Sequence, residues 1–149
     1  MTERFTLIPE AYLLLRKGNK ILLLRRYQTG YEDGQYSLVA GHIDGDETAR
    51  NAMMREAQEE AGIGLSPEDL KLVHVMHRKT NPERIGFFFA ATKWNGDVQN
   101  KEPEKCDDLR WFEITELPKN TIPYIRKAIR AYLAQEVYSE DGWTTLGSA

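Results

Sequence analysis

The chain has 149 residues, about the length of one globular domain, and we expect a single domain over residues 1–149. Hydrophobic residues make up 41% of it and charged residues 29%, which excludes a disordered polyelectrolyte. The formal net charge of −3 argues against non-specific binding to duplex DNA or anionic membranes, and the one cysteine excludes an internal disulfide. No apolar run is long enough to cross a bilayer and the N-terminus lacks a signal-peptide pattern, so we expect a cytoplasmic protein.

The predicted elements mix strands and helices along the chain. Two apolar segments, residues 5–16 and 20–27, flank Gly18 and predict a β-hairpin. The remaining predicted elements are a loop over residues 28–35, a strand over 36–40, a helix over 47–61, strands over 70–79, 85–94 and 109–114, a helix over 123–137 and a polar, mobile tail from residue 139. The apolar residues spaced to face the core in the last helix are Ile122, Ile125, Ile129 and Leu133. This order predicts an α+β fold in which helices pack on a mixed sheet.

Three glutamates share one side of the first predicted helix. With about 100° of rotation per residue, Glu56, Glu59 and Glu60 lie within an arc of about 100°, beside an apolar flank that can dock on a sheet. Like charges at these spacings disfavour a helix by about 0.2–0.5 kcal/mol per pair. A solvated acidic face tolerates this cost, whereas a hard divalent cation such as Mg²⁺ or Mn²⁺ removes it. The spacing alone does not decide between the two.

The wider pattern around this helix is more specific. Its fixed residues are Gly41, Glu47, Arg55, Glu56, Glu59, Glu60 and Gly62. With Ala57 and Ile63 at two apolar positions, they resemble the complete Nudix box, G-x5-E-x7-R-E-U-x-E-E-x-G-U. A chance match is on the order of 10⁻⁷ at average residue frequencies. The chain is therefore similar to MutT-like members of the Nudix hydrolase family, and the resemblance implies an α/β/α sandwich with a mixed sheet.

The resemblance implies a metal site on the glutamates. Glu56 and Glu60 would be the main ligands of the expected cofactor, Mg²⁺ or Mn²⁺, which the family holds against a diphosphate. Glu59 would be a further ligand or would deprotonate the attacking water. The backbone carbonyl before the box glycine, here that of Ala40, commonly completes the coordination shell in the family.

The other box residues would have structural roles. Arg55 and Glu47 would pair and brace the loop against the helix, and Gly41 and Gly62 are the glycines at the two ends of the box. The family often has Pro-Gly-Gly at the entrance, where this chain has Val-Ala-Gly-His over residues 39–42. This departure leaves the chemistry intact.

A similarity outside the box concerns a fourth acid. In MutT-like proteins, a glutamate in the loop before a Trp–aromatic pair is a metal ligand or a base. In this chain Glu102 is the first candidate and Glu104 the second, because both precede Trp111 and Phe112. The alternative is an ordinary solvated loop.

Three more residues resemble groups that recognise a purine in some members of the family. Asp107 and Asp108 match a pair of neighbouring carboxyls that hold a shared proton and bond the base. The alternative for both is a turn-forming role at the start of a strand. Asn120 precedes the last helix, where MutT-like enzymes place a purine-binding asparagine, and its alternative is a helix N-cap or a turn.

The resulting prediction is an Mg²⁺-dependent pyrophosphohydrolase, in which water attacks the diphosphate linkage of a nucleoside triphosphate or another nucleoside-diphosphate-linked compound. Oxidised or normal purine nucleotides are the favoured substrates, and nucleotide sugars or dinucleoside polyphosphates are the alternatives. A non-enzymatic Nudix-fold module that binds nucleotides or a protein partner is a further alternative, although such a module does not need a self-repelling triad of glutamates. The expected partner is a small nucleotide, without duplex nucleic acid or membrane, and homodimers are common in the family.

Overall fold

The computed structural model describes residues 2–144. Within this range the elements are β1 (Ile8–Lys17), β2 (Lys20–Arg26), β3 (Tyr36–Ser37), β4 (Val39–His42), α1 (Ala49–Ala61), β5 (Lys71–Arg78), β6 (Arg84–Ala91), β7 (Cys106–Glu113), α2 (Pro123–Leu133) and β8 (Tyr138–Asp141). A 3₁₀ turn, Pro67–Asp69, precedes β5. None of the helices formed by residues 2–144 has the length and apolar character needed to span a membrane.

The strands form one mixed sheet around β1. The strand order is β3-β2-β1-β6-β5-β8, with β4 also paired to β1 and β7 also paired to β2. The first half of β1 is antiparallel to β4, its end is antiparallel to β2, and most of its length is parallel to β6. The predicted hairpin of β1 and β2 is therefore confirmed, and β1 connects the two halves of the sheet.

The two helices cover opposite faces of this sheet. Ala11, Leu13 and Leu15 of β1 belong to a core cluster that contains the buried side of α1. Tyr12 and Leu14, which alternate with them, belong to a second cluster that contains the buried side of α2. Since neighbouring residues of a strand point to opposite faces, the sheet is the middle layer of three. The predicted α+β fold, an α/β/α sandwich with a mixed sheet, is confirmed.

Helix α1 has a defined start and end. It begins two residues later than predicted, because the Thr48 side chain accepts a hydrogen bond of 3.0 Å from the N–H of Asn51 and acts as the N-cap. It ends, as predicted, at Gly62, which adopts a left-handed φ of 69°. These two residues fix the length of the helix that carries the glutamates.

Strand β1 begins at Ile8 and not at residue 5, and β6 ends at Ala91 and not at residue 94. Two further predicted strands differ in their pairing. The segment predicted as one strand over residues 36–40 is divided at Leu38 into β3, which pairs with β2, and β4, which pairs with β1. Strand β7 begins at Cys106 and not at residue 109, because Cys106 pairs with Arg26 beyond a β-bulge. Both differences follow from pairing with distant strands.

The end of the chain corrects two further predictions. Helix α2 ends at Leu133, before the left-handed Gln135 with φ of 59°, and Leu133 is 41% exposed although it was expected in the core. Of the segment expected to be mobile from residue 139, residues 139–141 belong to β8, which is parallel to β5. Residues 145–149 of the predicted tail lie outside the described residues.

Candidate active site

Arg55 attaches the loop after β4 to helix α1. It donates two hydrogen bonds to Glu47, from Nε at 3.2 Å and from Nη2 at 2.8 Å, and Nη2 also donates to the carbonyl of His42 at 3.1 Å. Glu47 accepts a further bond of 2.7 Å from the N–H of Asp44. The hydrogen bonds from Arg55, followed by the one from Asp44, lower the pKa of Glu47. The loop is thus fixed to the helix that carries the glutamates.

Glu56 lies directly against the backbone of β4. A Cβ atom on Gly41 would be 2.1 Å from Cδ of Glu56 and 2.2 Å from its Oε1, so only glycine leaves room for the carboxylate. The side chain of Glu56 is 13% exposed and accepts a bond of 2.7 Å from Nη1 of Arg55. The first glycine of the box therefore provides the space in which this carboxylate sits.

Glu60 joins Glu56 one helical turn further along α1. Burial raises the pKa of Glu60 well above its ordinary value, and a hydrogen bond with Glu56 and the charges of Glu56 and Glu102 raise it further. A hydrogen bond with the backbone of Ala40 acts in the opposite direction. Two neighbouring carboxyl groups that are both partly buried favour a proton or a cation between them. Carboxylate oxygens are the ligands that Mg²⁺ and Mn²⁺ prefer, so this donor set fits such a cation.

Glu59 and Glu102 lie at the edge of the Glu56–Glu60 pair. The side chain of Glu59 is half exposed, and its carboxylate is 3.5 Å from Nη1 of Arg55. Glu102 is partly buried, and burial raises its pKa. The charges of Glu56 and Glu59 raise that pKa as well, while Lys105 lowers it. Glu102 is thus within electrostatic range of the helix glutamates.

The loop before β7 is attached to the end of α1, which explains the position of Glu102. The N–H of Lys101 donates to the carbonyl of Glu60 at 3.2 Å, and the N–H of Gln99 donates to the carbonyl of Ala61 at 2.9 Å. The last carbonyls of a helix have no partner within the helix, and these bonds satisfy two of them. Because Glu102 follows Lys101 directly, the same attachment brings it to the glutamates, whereas Glu104 is exposed.

The acids do not yet form a complete ligand set. Across residues 2–144, no three acidic, histidine or cysteine side chains are arranged to hold a metal ion. Glu56 and Glu60 meet, but Glu59 does not join them, and Arg55 occupies one oxygen of Glu56. A third carboxylate ligand would therefore require Glu59 or Glu102 to move toward the pair.

Asp107 and Asp108 stand side by side near the start of β7, and each carboxylate has its own partner. Asp107 is 2.7 Å from Nε of Arg25. Asp108 is 2.9 Å from Nε of Arg110 and accepts a hydrogen bond from the hydroxyl of Tyr36. The geometry therefore brings Asp108 to Tyr36 and Asp107 to Arg25, and it does not place a shared proton between the two carboxylates.

Asn120 fastens the loop between β2 and β3. Its side-chain amide donates to the carbonyl of Gly34 at 2.8 Å, and its own carbonyl accepts from the N–H of Tyr36 at 2.8 Å. One of the two N–H groups of this amide is therefore already used within the protein. The contact with Tyr36 nevertheless places Asn120 beside the residue that Asp108 contacts.

A buried group of charges that contacts the box was missed by the sequence analysis. Glu10 accepts hydrogen bonds from Tyr12 at 2.8 Å, Arg78 at 3.2 Å and Arg84 at 2.9 Å, and Arg84 lies 3.3 Å from the imidazole of His42. These side chains come from four strands, so no local pattern joins them. The sequence signal that could have revealed them is Glu10 itself, an acidic residue within the apolar segment over residues 5–16. A buried carboxylate requires cationic partners, which this position therefore predicts.

Comparison with known proteins supports the assignment of the box. A family model described as the NUDIX domain matches residues 8–132. The NAD-capped RNA hydrolase NudC of Stutzerimonas stutzeri is 29% identical over 129 residues, which are 87% of this chain and 44% of that protein. NudC of Chromobacterium violaceum is 30% identical over 115 residues, which are 77% of this chain and 41% of that protein. The chain thus spans less than half the length of these two relatives.

Solved structures show the same fold. The MutT NUDIX hydrolase from Burkholderia pseudomallei superposes with a TM-score of 0.77 at 24% identity, covering 84% of this chain and 97% of that one. The E. coli ORF135 protein superposes with a TM-score of 0.72 at 24% identity, covering 87% and 91%. Since the family model covers most of the chain and the box residues meet around α1 and β4, the chain belongs to the Nudix family.

Proposed function

We propose that this chain is an Mg²⁺- or Mn²⁺-dependent pyrophosphohydrolase that uses water to cleave a diphosphate linkage in a nucleotide. The observation that carries the proposal is the Glu56–Glu60 pair, which is partly buried, with Glu56 seated against Gly41 within a complete Nudix box. Members of the Nudix family generally depend on divalent metals. A partly buried pair of acids that gains from a cation is consistent with that dependence.

Each side chain has its own task in this proposal. Glu56 and Glu60 would hold the cation, which when bound would offset the charge of the diphosphate and lower the pKa of a bound water. Arg55 keeps the Glu56 carboxylate in place through its bond of 2.7 Å. Glu102 is the favoured base, because burial raises its pKa and so makes its carboxylate a stronger acceptor of a proton. Glu59 is the other candidate for this role or for a further ligand.

The proposed substrates share a nucleoside attached to a diphosphate. Nucleoside triphosphates with a normal or oxidised purine are favoured over nucleotide sugars and dinucleoside polyphosphates, because Asp108 and Asn120 both lie at Tyr36. The two relatives named NAD-capped RNA hydrolases add a second candidate, the 5′ end of an RNA that carries such a cap. That substrate also contains a nucleoside attached to a diphosphate, which in this case joins it to a second nucleoside.

A hydrolysis screen tests the proposal. The purified chain is incubated with Mg²⁺, with Mn²⁺ or with a chelator, and with a panel of normal and oxidised nucleoside triphosphates, nucleotide sugars, dinucleoside polyphosphates, NAD and NAD-capped RNA. We expect metal-dependent cleavage of a phosphoric anhydride, with the products identified by mass spectrometry. Binding without turnover across the whole panel would instead support a non-enzymatic module.

Three matched variants assign the activity to the pair. Glu56→Gln and Glu60→Gln should lower kcat/KM by about 100-fold or more, since each removes a charge from the proposed cation site. Glu68→Gln makes the same chemical change at an exposed residue and should leave the rate unchanged. If either pair variant hydrolyses its substrate at the rate of the unchanged chain, the proposed mechanism is wrong.

A further inference from the structure

A basic groove of about 530 Å³ runs along one side of α2. Glu136 and Ser139 line it together with residues of α2, so the groove lies along the side of the helix that is next to β8. The charged residues that line it are Lys119, Arg126, Lys127, Arg130 and Glu136. Four cations and one acid thus share a concave surface in a chain whose formal net charge is −3.

Part of this positive charge is not used within the protein. Lys127 donates to the carbonyl of Glu140 and lies 3.6 Å from the carboxylate of Asp141. In the part of the chain that the structure describes, Lys119 and Arg130 have no carboxylate within the 4.0 Å of an ion pair. Both are also exposed. The groove therefore presents two cations that are available to an anionic ligand.

The groove begins beside the residues proposed to bind the nucleotide. Lys119 and Thr121, at its start, flank Asn120, and Thr121 forms a β-bridge with Tyr36. Tyr36 in turn contacts Asp108. From this end the groove continues along α2, where Arg130 follows Arg126 by four positions, about 6 Å along the helix axis. A chain of phosphates that left the nucleotide site could follow these cations.

We propose that this groove binds the phosphodiester backbone of a single-stranded RNA whose 5′ end occupies the nucleotide site. The orientation of the RNA rests on the proposed function, in its form with an RNA 5′ end as substrate. Single-stranded nucleic acids are bound in positively charged grooves that follow the backbone. Since the groove lining includes no aromatic side chain for base stacking, the contacts go to phosphates and are independent of sequence.

Direct binding tests the groove without any catalysis. The probe is a fluorescently labelled single-stranded RNA of about twelve nucleotides with a 5′ hydroxyl, followed by anisotropy at several salt concentrations. The variant Lys119→Gln/Arg130→Gln should bind about tenfold more weakly than the unchanged chain. The slope of log K against log salt should also fall in magnitude by about 1.4, because two phosphate contacts are lost. The matched control Lys20→Gln/Lys71→Gln removes two exposed cations elsewhere and should bind within about twofold of the unchanged chain.

The outcomes separate this proposal from the proposed function. If both double variants bind RNA equally well, or if the unchanged chain does not bind RNA at low salt, the proposal that this groove binds RNA is wrong. The proposal of nucleotide hydrolysis is not affected by either result. If poly-glutamate displaces the labelled RNA as effectively as unlabelled RNA does, the proposal is also wrong, because the groove would then bind any polyanion. If RNA binding follows the prediction but no anhydride is cleaved, the groove stands and the proposed function fails. On nucleotides without RNA, Lys119→Gln/Arg130→Gln should keep its kcat/KM, which excludes a fold defect.

Discussion

A methyl group on Gly41 should displace the Glu56 carboxylate without unfolding the protein. The added Cβ would lie 2.1 Å from Cδ of Glu56, whereas ordinary contact begins at 3.4 Å, so the carboxyl carbon must withdraw by about 1.3 Å. Displacements of about 1 Å in a catalytic site cost about 100-fold in rate. We therefore expect Gly41→Ala to lower kcat/KM by about 100-fold for any nucleotide that the chain hydrolyses.

The stability of this variant should change little. Gly41 does not have a left-handed φ, and the atoms that the new methyl meets belong to the end of a flexible side chain. The expected change is within about 1 kcal/mol, or roughly 2–4 °C in Tm. Gly45→Ala is the matched control in the same loop, because a Cβ there meets nothing within 4 Å and its φ is also not left-handed. Activity of Gly41→Ala within threefold of the control would refute this account of the box glycine.

Three further predictions concern stability. Glu10→Gln leaves the buried Arg78 without its carboxylate and should destabilise the fold by about 3–5 kcal/mol. In thermal unfolding this is a loss of about 10 °C in Tm, and a loss of stability below about 1 kcal/mol would contradict the importance of this ion pair. Hydrogen bonds from the backbone N–H of Ser66 and then from its hydroxyl lower the pKa of Asp69. The ionised Asp69 therefore stabilises the folded state above pH 3.8, and this contribution disappears as the pH falls through the lowered pKa. Urea unfolding should accordingly show Asp69→Asn to be less stable at neutral pH, with the difference vanishing in acid. Mg²⁺ at a hundred times its Kd should raise the free energy of unfolding by about 2.7 kcal/mol, which a thermal-shift assay detects as a higher Tm. If Mg²⁺ raises the Tm of Glu60→Gln as much as that of the unchanged chain, Glu60 is not a ligand.

Features that depend on neighbouring residues could be predicted from the sequence. The box helix was predicted because its residues favour a helix and Gly62 can adopt the left-handed φ that ends it. The 3.6-residue period placed Glu56 beside Glu60 on one side of that helix. The same period could not show that Glu59 stays half exposed, because this depends on where Arg55 and the sheet lie.

Features that depend on pairing between distant segments were not predicted. Strand β8 is polar and short, and its parallel pairing with β5 gives no periodic signal in the sequence. The division at Leu38 likewise arises because two different strands pair with the residues on either side of it. In the candidate site, the engagement of Asn120 with Gly34 has the same origin, because the two residues are distant in sequence.

The attachment of the β7 loop to α1 has a consequence for how this loop can vary in length. Asn95 exchanges two backbone hydrogen bonds with Gly64, and the backbone N–H groups of Gln99 and Lys101 donate to carbonyls at the end of α1. The loop is therefore tethered on both sides of residues 96–98. Extra residues inserted between these tethers would extend into solvent and leave Glu102 where it is. An insertion between Gln99 and Glu102 would instead shift the acid relative to the helix. Orthologous sequences should therefore tolerate insertions between Asn95 and Gln99 and lack them between Gln99 and Glu102.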